Sequence, residues 1–94
     1  MTFEWDERKN EINKKKHSGI TFQMAAKIFF DPNVLIQFDE NHSALKEERW
    51  NAIGSVEDVL FVVFTEIIEG TIRIISARKA NREERNEYYR NYDA

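Results

Sequence analysis

The chain has 94 residues, of which 41% are hydrophobic and 33% charged, and it contains no cysteine, three glycines and one proline. This length suits a single domain spanning residues 1–94, because compact domains usually run to about 50–250 residues. The lack of cysteine excludes disulfide scaffolds, thiol nucleophiles and thiolate zinc sites. No apolar run approaches the roughly 18 residues that cross a bilayer, and the first ten residues do not resemble a secretory signal, so we expect a cytoplasmic protein.

Charge is distributed unevenly along the chain, although the net charge is only −3. Residues 1–27 and residues 73–94 each carry six basic and four acidic side chains, whereas residues 28–72 carry two basic and nine acidic ones. A fold that brings the two ends together would form one basic face, which could act as a local basic cleft despite the net acidity. The simpler alternative is that these charges lie on solvated helix faces.

The first third of the chain predicts a short strand followed by two helices. Alternation over residues 3–5 indicates an edge strand, and Asp6 is a good N-cap for a polar helix that runs to about His17 and stops at Ser18-Gly19. Thr21 caps a second helix, which ends before Pro32. Its apolar residues recur at the spacing of a core-facing helix: Phe22, Ala25, Ala26 and Phe29.

The remaining sequence predicts four antiparallel strands and a last helix. The strands are expected at residues 34–38, 49–53, 59–65 and 71–76, with the third one central. A loop is expected at 39–46, Gly54-Ser55 is expected to end the second strand, and Glu69-Gly70 marks a hairpin turn. Asn81 and Glu84 form a capping-box pair at the start of the last helix, whose apolar side consists of Tyr88, Tyr89 and Tyr92. The prediction is therefore an α+β domain with two N-terminal helices, a four-stranded antiparallel sheet and a C-terminal helix. The first and last helices are so polar that we expect them at the edge of the sheet or against a partner.

A cationic cluster marks the end of the predicted sheet, where Arg73, Arg78, Lys79 and Arg82 fall within ten positions. Arg73 lies between two isoleucines on a strand, so its guanidinium must reach an acid, a phosphate or solvent. One interpretation is a face that binds phosphate, because a guanidinium can grip a phosphate through two hydrogen bonds. The alternative is a salt bridge to a neighbouring strand, for example to Glu48 or Glu66.

Histidine chemistry is limited to His17 and His42. Neither has a second ligand at a convincing spacing, so no metal site is expected, and no Gly-rich motif points to a nucleotide cofactor. His17 ends a helix, which tends to raise its pKa and keep it titrating near neutrality. That would suit proton transfer, although a surface histidine without a function is the simpler interpretation.

The sequence resembles the BrnT toxin family over nearly its whole length. The most specific segments, taken together, are Phe-Glu-Trp-Asp at 3–6 and Arg-Ile-Ile-Ser-Ala-Arg at 73–78. The family usually carries Lys-His-Gly, whereas here Ser18 stands between His17 and Gly19. The loop at 39–46 is also variable, and this variability weakens any role for His42. Further matching segments are residues 16–22, 25–26, 30–32, 48–50, 52–54, 62–66 and 79–80, then 82–85 followed by the tyrosines.

This resemblance implies a bacterial type II toxin with a RelE-like ribonuclease fold, which cuts RNA and so stops translation and growth. It also implies a BrnA-type antitoxin with a ribbon-helix-helix part, and operator DNA binding only through the toxin-antitoxin complex. We expect that antitoxin to cover the basic face and to pack on the exposed tyrosines. No membrane partner is expected.

The resemblance suggests RNA cleavage without a metal ion, in which the 2′-hydroxyl attacks its own phosphate. On this hypothesis Arg73 and Arg78 clamp the phosphate, while Glu48 or His17 supplies the base and the acid. Two other interpretations stay open. The same basic face could belong to a non-catalytic module that binds nucleic acid or an acidic protein, or the chain could be a plain scaffold. The further cations expected to contact the substrate are Lys16, Arg49, Lys79 and Arg82.

Overall fold

The fold is built on a five-stranded sheet, as the computed structural model shows for residues 1–41 and 47–92. The strands are β1 (Thr2–Glu4), β2 (Leu35–Phe38), β3 (Trp50–Val56), β4 (Asp58–Ile68) and β5 (Thr71–Lys79), in the spatial order β1-β5-β4-β3-β2. The helices are α1 (Glu7–Lys16), α2 (Phe22–Lys27), which continues into a 3₁₀ turn (Ile28–Phe30), and α3 (Arg82–Tyr92). The predicted loop at 39–46 falls mostly outside the described residues, because the description stops at Asn41 and resumes at Glu47.

The sheet is mixed, so the prediction of four antiparallel strands is wrong in this respect. Strands β2 to β5 do form the expected antiparallel meander. However, β1 adds a fifth strand parallel to β5, with Phe3 opposite Ile72. The backbone N–H of Thr2 donates to the carbonyl of Gly70 at 2.7 Å, which fixes the start of β1 beside the β4–β5 turn.

Three strands extend beyond their predicted ends, and one of them, β4, continues past Thr65 to Ile68. β3 passes through Gly54 to Val56 instead of stopping there, because this glycine serves a close approach and not a turn. A Cβ atom at Gly54 would lie 2.9 Å from the Cβ of Ile28, so only glycine allows the 3₁₀ turn to pack this closely on the sheet. β5 continues past Ser76 to Lys79, paired with β4 throughout.

The N-terminal helices begin and end near their predicted positions. The Asp6 side chain accepts from the backbone N–H of Arg8 at 2.9 Å, and His17 is the C-cap of α1. Gly19 then adopts a φ of +84°, the left-handed conformation that commonly ends a helix. The Thr21 hydroxyl caps α2 by accepting from the N–H of Met24 at 3.1 Å.

Helix α1 is attached to the sheet through two buried asparagines, which the sequence did not single out. Nδ2 of Asn13 donates to the carbonyl of Ala77 at 2.8 Å, and its Oδ1 accepts from the N–H of the same residue at 3.1 Å. Asn10 accepts from the N–H of Phe22 at 2.8 Å. Asn13 thus pairs with the edge of β5 beyond the last residue of β1, which confirms the expected edge position of the first helix.

The sheet has two faces, and each carries its own apolar cluster. The first face packs on α2 and the 3₁₀ turn, and from β4 it receives Leu60, Val62 and Phe64. The intervening β4 residues Val59 and Phe61 instead pack in the cluster of the second face, with Ile53, Ala80 and Tyr88. The first cluster comprises Ile20, Phe22, Ala25, Ile28, Ala52, Leu60, Val62, Phe64, Ile72, Ile74 and Ala77.

Helix α3 covers part of the second face and is anchored by Tyr88. This side chain is 2% exposed, and its hydroxyl donates to Oδ2 of Asp31 at 2.5 Å. Burial together with this hydrogen bond raises the pKa of Tyr88 well above its usual value. Of the three tyrosines expected to face a partner, only Tyr89 and Tyr92 are therefore exposed, at 51% and 54%.

Candidate functional site

A groove crosses the second face of the sheet where α3 leaves it uncovered. Its floor follows the register of three adjacent strands, in which Asn51 of β3 lies opposite Val63 of β4, and Val63 lies opposite Ser76 of β5. The cavity measures about 450 Å³. Such a space accommodates a small ligand or one unit of a polymer. Its lining residues are Asp39, Asn41, Arg49, Asn51, Phe61, Val63, Ser76 and Arg78.

Arg78 is a firmly held cation of this groove. Its Nη1 and Nη2 atoms donate to the two carboxylate oxygens of Glu84 at 2.8 and 2.9 Å. The guanidinium carbon lies 4.3 Å from the centre of the Phe61 ring, a distance typical of a cation–π contact. Nη1 also donates to the carbonyl of Lys79 at 3.3 Å. These contacts fix the orientation of the guanidinium while the Arg78 side chain stays 38% exposed.

One edge of the Arg78 guanidinium is open. A guanidinium carries five N–H donors, and the Glu84 carboxylate and the Lys79 carbonyl engage only those on the two Nη atoms. Within the described chain, the Nε–H and the adjacent second N–H of Nη2 have no acceptor. Two parallel donors on one edge match the spacing of two phosphate oxygens. Arg78 can therefore bind an anion from the groove while Glu84 holds its other side.

Glu84 remains a carboxylate at neutral pH. Burial tends to raise its pKa, but the hydrogen bonds from Arg78 and from the backbone of Asn81 outweigh that effect and hold the pKa below its usual value. The expected capping box is confirmed, because Oε1 of Glu84 accepts from Asn81 N–H at 2.9 Å and Oδ1 of Asn81 accepts from Glu84 N–H at 2.8 Å. The same carboxylate therefore caps α3 and orients Arg78.

The end of α1 brings Lys16 and His17 to the same region. Both side chains line a smaller pocket that includes Ser76, which is also part of the groove floor. Burial lowers the pKa of His17, and the charges of Lys16 and Arg78 lower it further. The expectation that the helix end raises this pKa is wrong, since burial and two nearby cations outweigh the helix dipole. His17 is consequently a neutral imidazole at pH 7 and can accept a proton.

Arg73 and Glu48 lie in a different place from Arg78. Nη2 and Nε of Arg73 donate to Oε2 of Glu4 at 2.8 and 3.1 Å, so the alternative of a salt bridge to a neighbouring strand is observed with Glu4 as the acceptor. The cavity that contains both Arg73 and Glu48 also contains Glu47 and Glu66. This second cavity is rich in carboxylates, and an anion would be repelled there.

The other predicted contacts are dispersed. Arg49 lines the groove, and its Nε donates to Oε1 of Glu47 at 3.0 Å. Lys79 lies opposite Leu60 in the register, and because Leu60 belongs to the first apolar cluster, Lys79 is on the face away from the groove. Its Nζ lies 3.6 Å from Oδ2 of Asp58. Arg82 is exposed at the first position of α3. The structure therefore gathers Lys16, His17, Arg49 and Arg78, and it separates Arg73, Glu48 and Lys79 from them.

Asn51 was not identified from the sequence, although its Oδ1 is buried without a hydrogen-bond donor among the described residues. Two signals were available in the sequence, namely a polar residue between Trp50 and Ala52 and its position two residues from Arg49. The partnership of Glu84 with Arg78 was also missed, although Glu84 was recognised as a cap. Both features depend on which residues become neighbours across elements.

Metal binding and membrane insertion find no support in the described part of the chain. Residues 1–41 and 47–92 contain no group of three or more histidine, aspartate or glutamate side chains placed to hold a metal ion. Among the same residues, no helix combines the length and the apolar character that crossing a bilayer requires.

Comparison with known proteins identifies the family. The family model that describes BrnT, the ribonuclease toxin of type II toxin-antitoxin systems, matches residues 5–84. The crystal structure of the Brucella abortus ribonuclease toxin BrnT superposes with a TM-score of 0.63 at 25% identity, covering 87% of this chain and 99% of that one. A search of the curated proteins found no significant match. The family model covers most of the chain, and the fold agrees with it: the protein belongs to the BrnT family of type II ribonuclease toxins.

Proposed function

We propose that this protein is an endoribonuclease toxin that cleaves RNA in the groove without a metal ion, stops translation and is neutralised by a BrnA-type antitoxin. The observation that carries the proposal is the geometry of Arg78. Its guanidinium is held by Glu84 and Phe61, and its open edge can receive a phosphate. Arg49 and Lys16 add positive charge on either side of it.

Cleavage without a metal ion uses the 2′-hydroxyl of the RNA as the nucleophile. The hydroxyl loses its proton, its oxygen bonds to the adjacent phosphorus, and the bond from phosphorus to the 5′-oxygen breaks. The leaving 5′-oxygen takes up a proton, so the products are a 2′,3′-cyclic phosphate and a 5′-hydroxyl. The protein must therefore supply a base, an acid and stabilisation of the extra negative charge on phosphorus.

His17 is the better candidate for the base, because its lowered pKa keeps the imidazole neutral beside Arg78. Glu48, the other sequence candidate, lies in the carboxylate-rich cavity with Arg73. Proton transfer by a positioned side chain typically contributes about 10²–10⁴-fold to a rate. Loss of one donor to a developing oxyanion costs about 10²–10³-fold. Arg78 and His17 together would thus account for most of the catalysis.

Arg73 takes a structural role in this proposal. Its ion pair with Glu4 joins β5 to β1, the strand that closes one edge of the sheet. Lys79, on the other face, is likewise assigned to its contact with Asp58. Arg82 lies at the start of α3, near the cap formed by Asn81, where it can add a contact to an RNA strand leaving Arg78.

A non-catalytic RNA-binding module is the second candidate, and one observation favours it. Glu84 already neutralises Arg78, which leaves less net positive charge to stabilise a transition state than a free arginine would. Such a module would use the same groove to bind RNA and leave it intact.

The antitoxin is proposed to be a BrnA-type protein with a ribbon-helix-helix part, through which the complex binds operator DNA. Tyr89 and Tyr92 are exposed on α3, the helix that also carries Glu84. Exposed aromatic side chains next to arginines are common anchors of protein interfaces. An antitoxin bound there would cover the mouth of the groove.

Incubation of the purified protein with RNA in excess EDTA tests the proposal. Cleavage that resists the chelator and yields 5′-hydroxyl and cyclic phosphate ends is expected. Intact RNA that is retarded on a native gel would favour the binding module instead. The Lys27→Ala variant is a suitable control, because Lys27 ends α2 on the first face, and it should cleave as the parent protein does.

A further inference from the structure

Asn51 lies at the centre of the groove floor with hydrogen-bonding capacity that the described chain does not use. Its Oδ1 is buried and accepts from no described donor. Its neighbours across the sheet are Gln37 on β2 and Val63 on β4. Val63 has no polar group, and Nε2 of Gln37 donates to Glu87 at 2.7 Å. Neither neighbour donates a hydrogen bond to Oδ1 of Asn51.

An unpartnered buried oxygen destabilises the folded protein, and such atoms are rare in native structures. An apolar β-branched residue would suit this position better, because the neighbour across the sheet on the same face is Val63. The presence of asparagine here is therefore explained by a ligand in the groove that provides the missing donor once the amide turns its oxygen toward the groove.

The rest of the groove indicates the chemistry of that ligand. Arg49 and Arg78 supply cations for phosphates, whereas Val63, next to the Phe61 ring that Arg78 covers, offers an apolar floor for a planar ring. Asn51 lies opposite Val63 in the register, between the positions of these groups. Cations at the sides of the groove suit phosphates, and an amide beside an apolar floor suits a base. Together they fit one nucleotide of a single strand.

We infer that Asn51 reads an RNA base bound in the groove and that the preferred base is adenine, an inference that rests on the proposed RNA-binding function. A side-chain amide presents an acceptor beside a donor. Adenine presents the complementary pair, with N6–H as the donor for the buried oxygen and N7 as the acceptor for the amide N–H. The corresponding edge of guanine presents two acceptors and leaves the Asn51 oxygen without a partner.

Binding of oligonucleotides that resist cleavage tests the inference apart from catalysis. The probes are fluorescent 2′-fluoro oligouridines of about eight nucleotides, which suit single-strand sites of this kind, with A, C, G or U at the centre. Fluorescence anisotropy should show that the protein binds the adenine-bearing probe more tightly than the others, by roughly five- to 150-fold. Asn51→Val should bind all four probes with equal affinity and keep the salt dependence, because the phosphate contacts are intact.

Two controls separate base reading from a structural role. Asn91→Ala removes an exposed asparagine on α3, outside the groove, and should preserve the adenine preference. Asn51→Val should also raise the midpoint of urea unfolding, since it removes a buried acceptor that has no partner, whereas loss of a structural asparagine would lower it.

The inference is overturned if the parent protein discriminates no base, if it prefers a base other than adenine, or if Asn51→Val keeps the preference. RNA cleavage without base discrimination would refute only the role of Asn51. An adenine preference lost in Asn51→Val, together with intact RNA in EDTA, would refute cleavage without a metal ion and leave base reading in place.

Discussion

Arg78 and Glu84 form an ion pair through two hydrogen bonds of 2.8 and 2.9 Å, and the same carboxylate caps the helix that follows. The orientation of the groove's central cation is thereby tied to the first turn of α3. Any ligand that rotates Arg78, or any partner that shifts α3, must disturb both contacts. This coupling makes the Glu84 carboxylate a sensitive point of the site.

Glu84→Gln should separate RNA binding from cleavage. Glutamine can still cap α3, but loss of the charge leaves Arg78 more positive and less firmly oriented. RNA should bind more tightly and with a steeper salt dependence, while the rate of cleavage at saturating RNA falls. The unfolding free energy should drop by about 1 kcal/mol, because the pair is partly exposed. Anisotropy titrations and single-turnover cleavage measure the two effects, and a parallel change of both would contradict this account.

Tyr88→Phe should destabilise the protein without altering the groove. The lost hydroxyl donates to Asp31, whose carboxylate also accepts from the backbone N–H groups of Asn33 and Ser55. Removing one hydrogen bond to a charged group typically costs about 1.5–3 kcal/mol. Urea denaturation of this variant should be compared with Tyr89→Phe, which alters an exposed tyrosine. Equal stabilities of the two variants would show that the hydroxyl of Tyr88 contributes nothing.

The pH dependence of cleavage should report His17. Because burial and two cations depress the pKa of this imidazole below the usual 6.5, the neutral base persists as the pH falls through 6.5. We expect the rate to stay level down to that pH and to decline only below it. His17→Gln should lower the plateau by about 10²-fold or more and remove the acidic limb. An unchanged profile in His17→Gln would exclude the imidazole as the base.

Local signals were sufficient to predict most helices and strands. Asp6, Thr21 and Asn81 mark helix starts by capping chemistry that acts within three residues. The run of apolar residues on both faces of β4 indicates a central strand. The glycine at position 54 was misread because its role depends on Ile28, a residue far away in the sequence. From local sequence alone, a glycine followed by serine favours the end of a strand. Here the glycine is required instead because the 3₁₀ turn packs closely against β3.

The candidate site was predicted in part, for the same reason. Arg78 and His17 were identified from residue type and position, and both reach the region of the groove. Arg73 has the same local pattern as Arg78 but meets Glu4, because a parallel strand from the start of the chain pairs with β5. Charge patterning along the sequence could not reveal which carboxylate each arginine would meet.

Cleavage by Arg78→Ala in excess EDTA tests the central claim most directly. Loss of the guanidinium should reduce chelator-resistant cleavage by about 10²–10³-fold and abolish growth arrest after induction, while antitoxin affinity, measured by calorimetry, falls less because other contacts share that load. Circular dichroism must first show that the variant is folded, and Lys27→Ala should match the parent protein. A folded Arg78→Ala protein that cleaves RNA at the parent rate and still arrests growth would contradict the account.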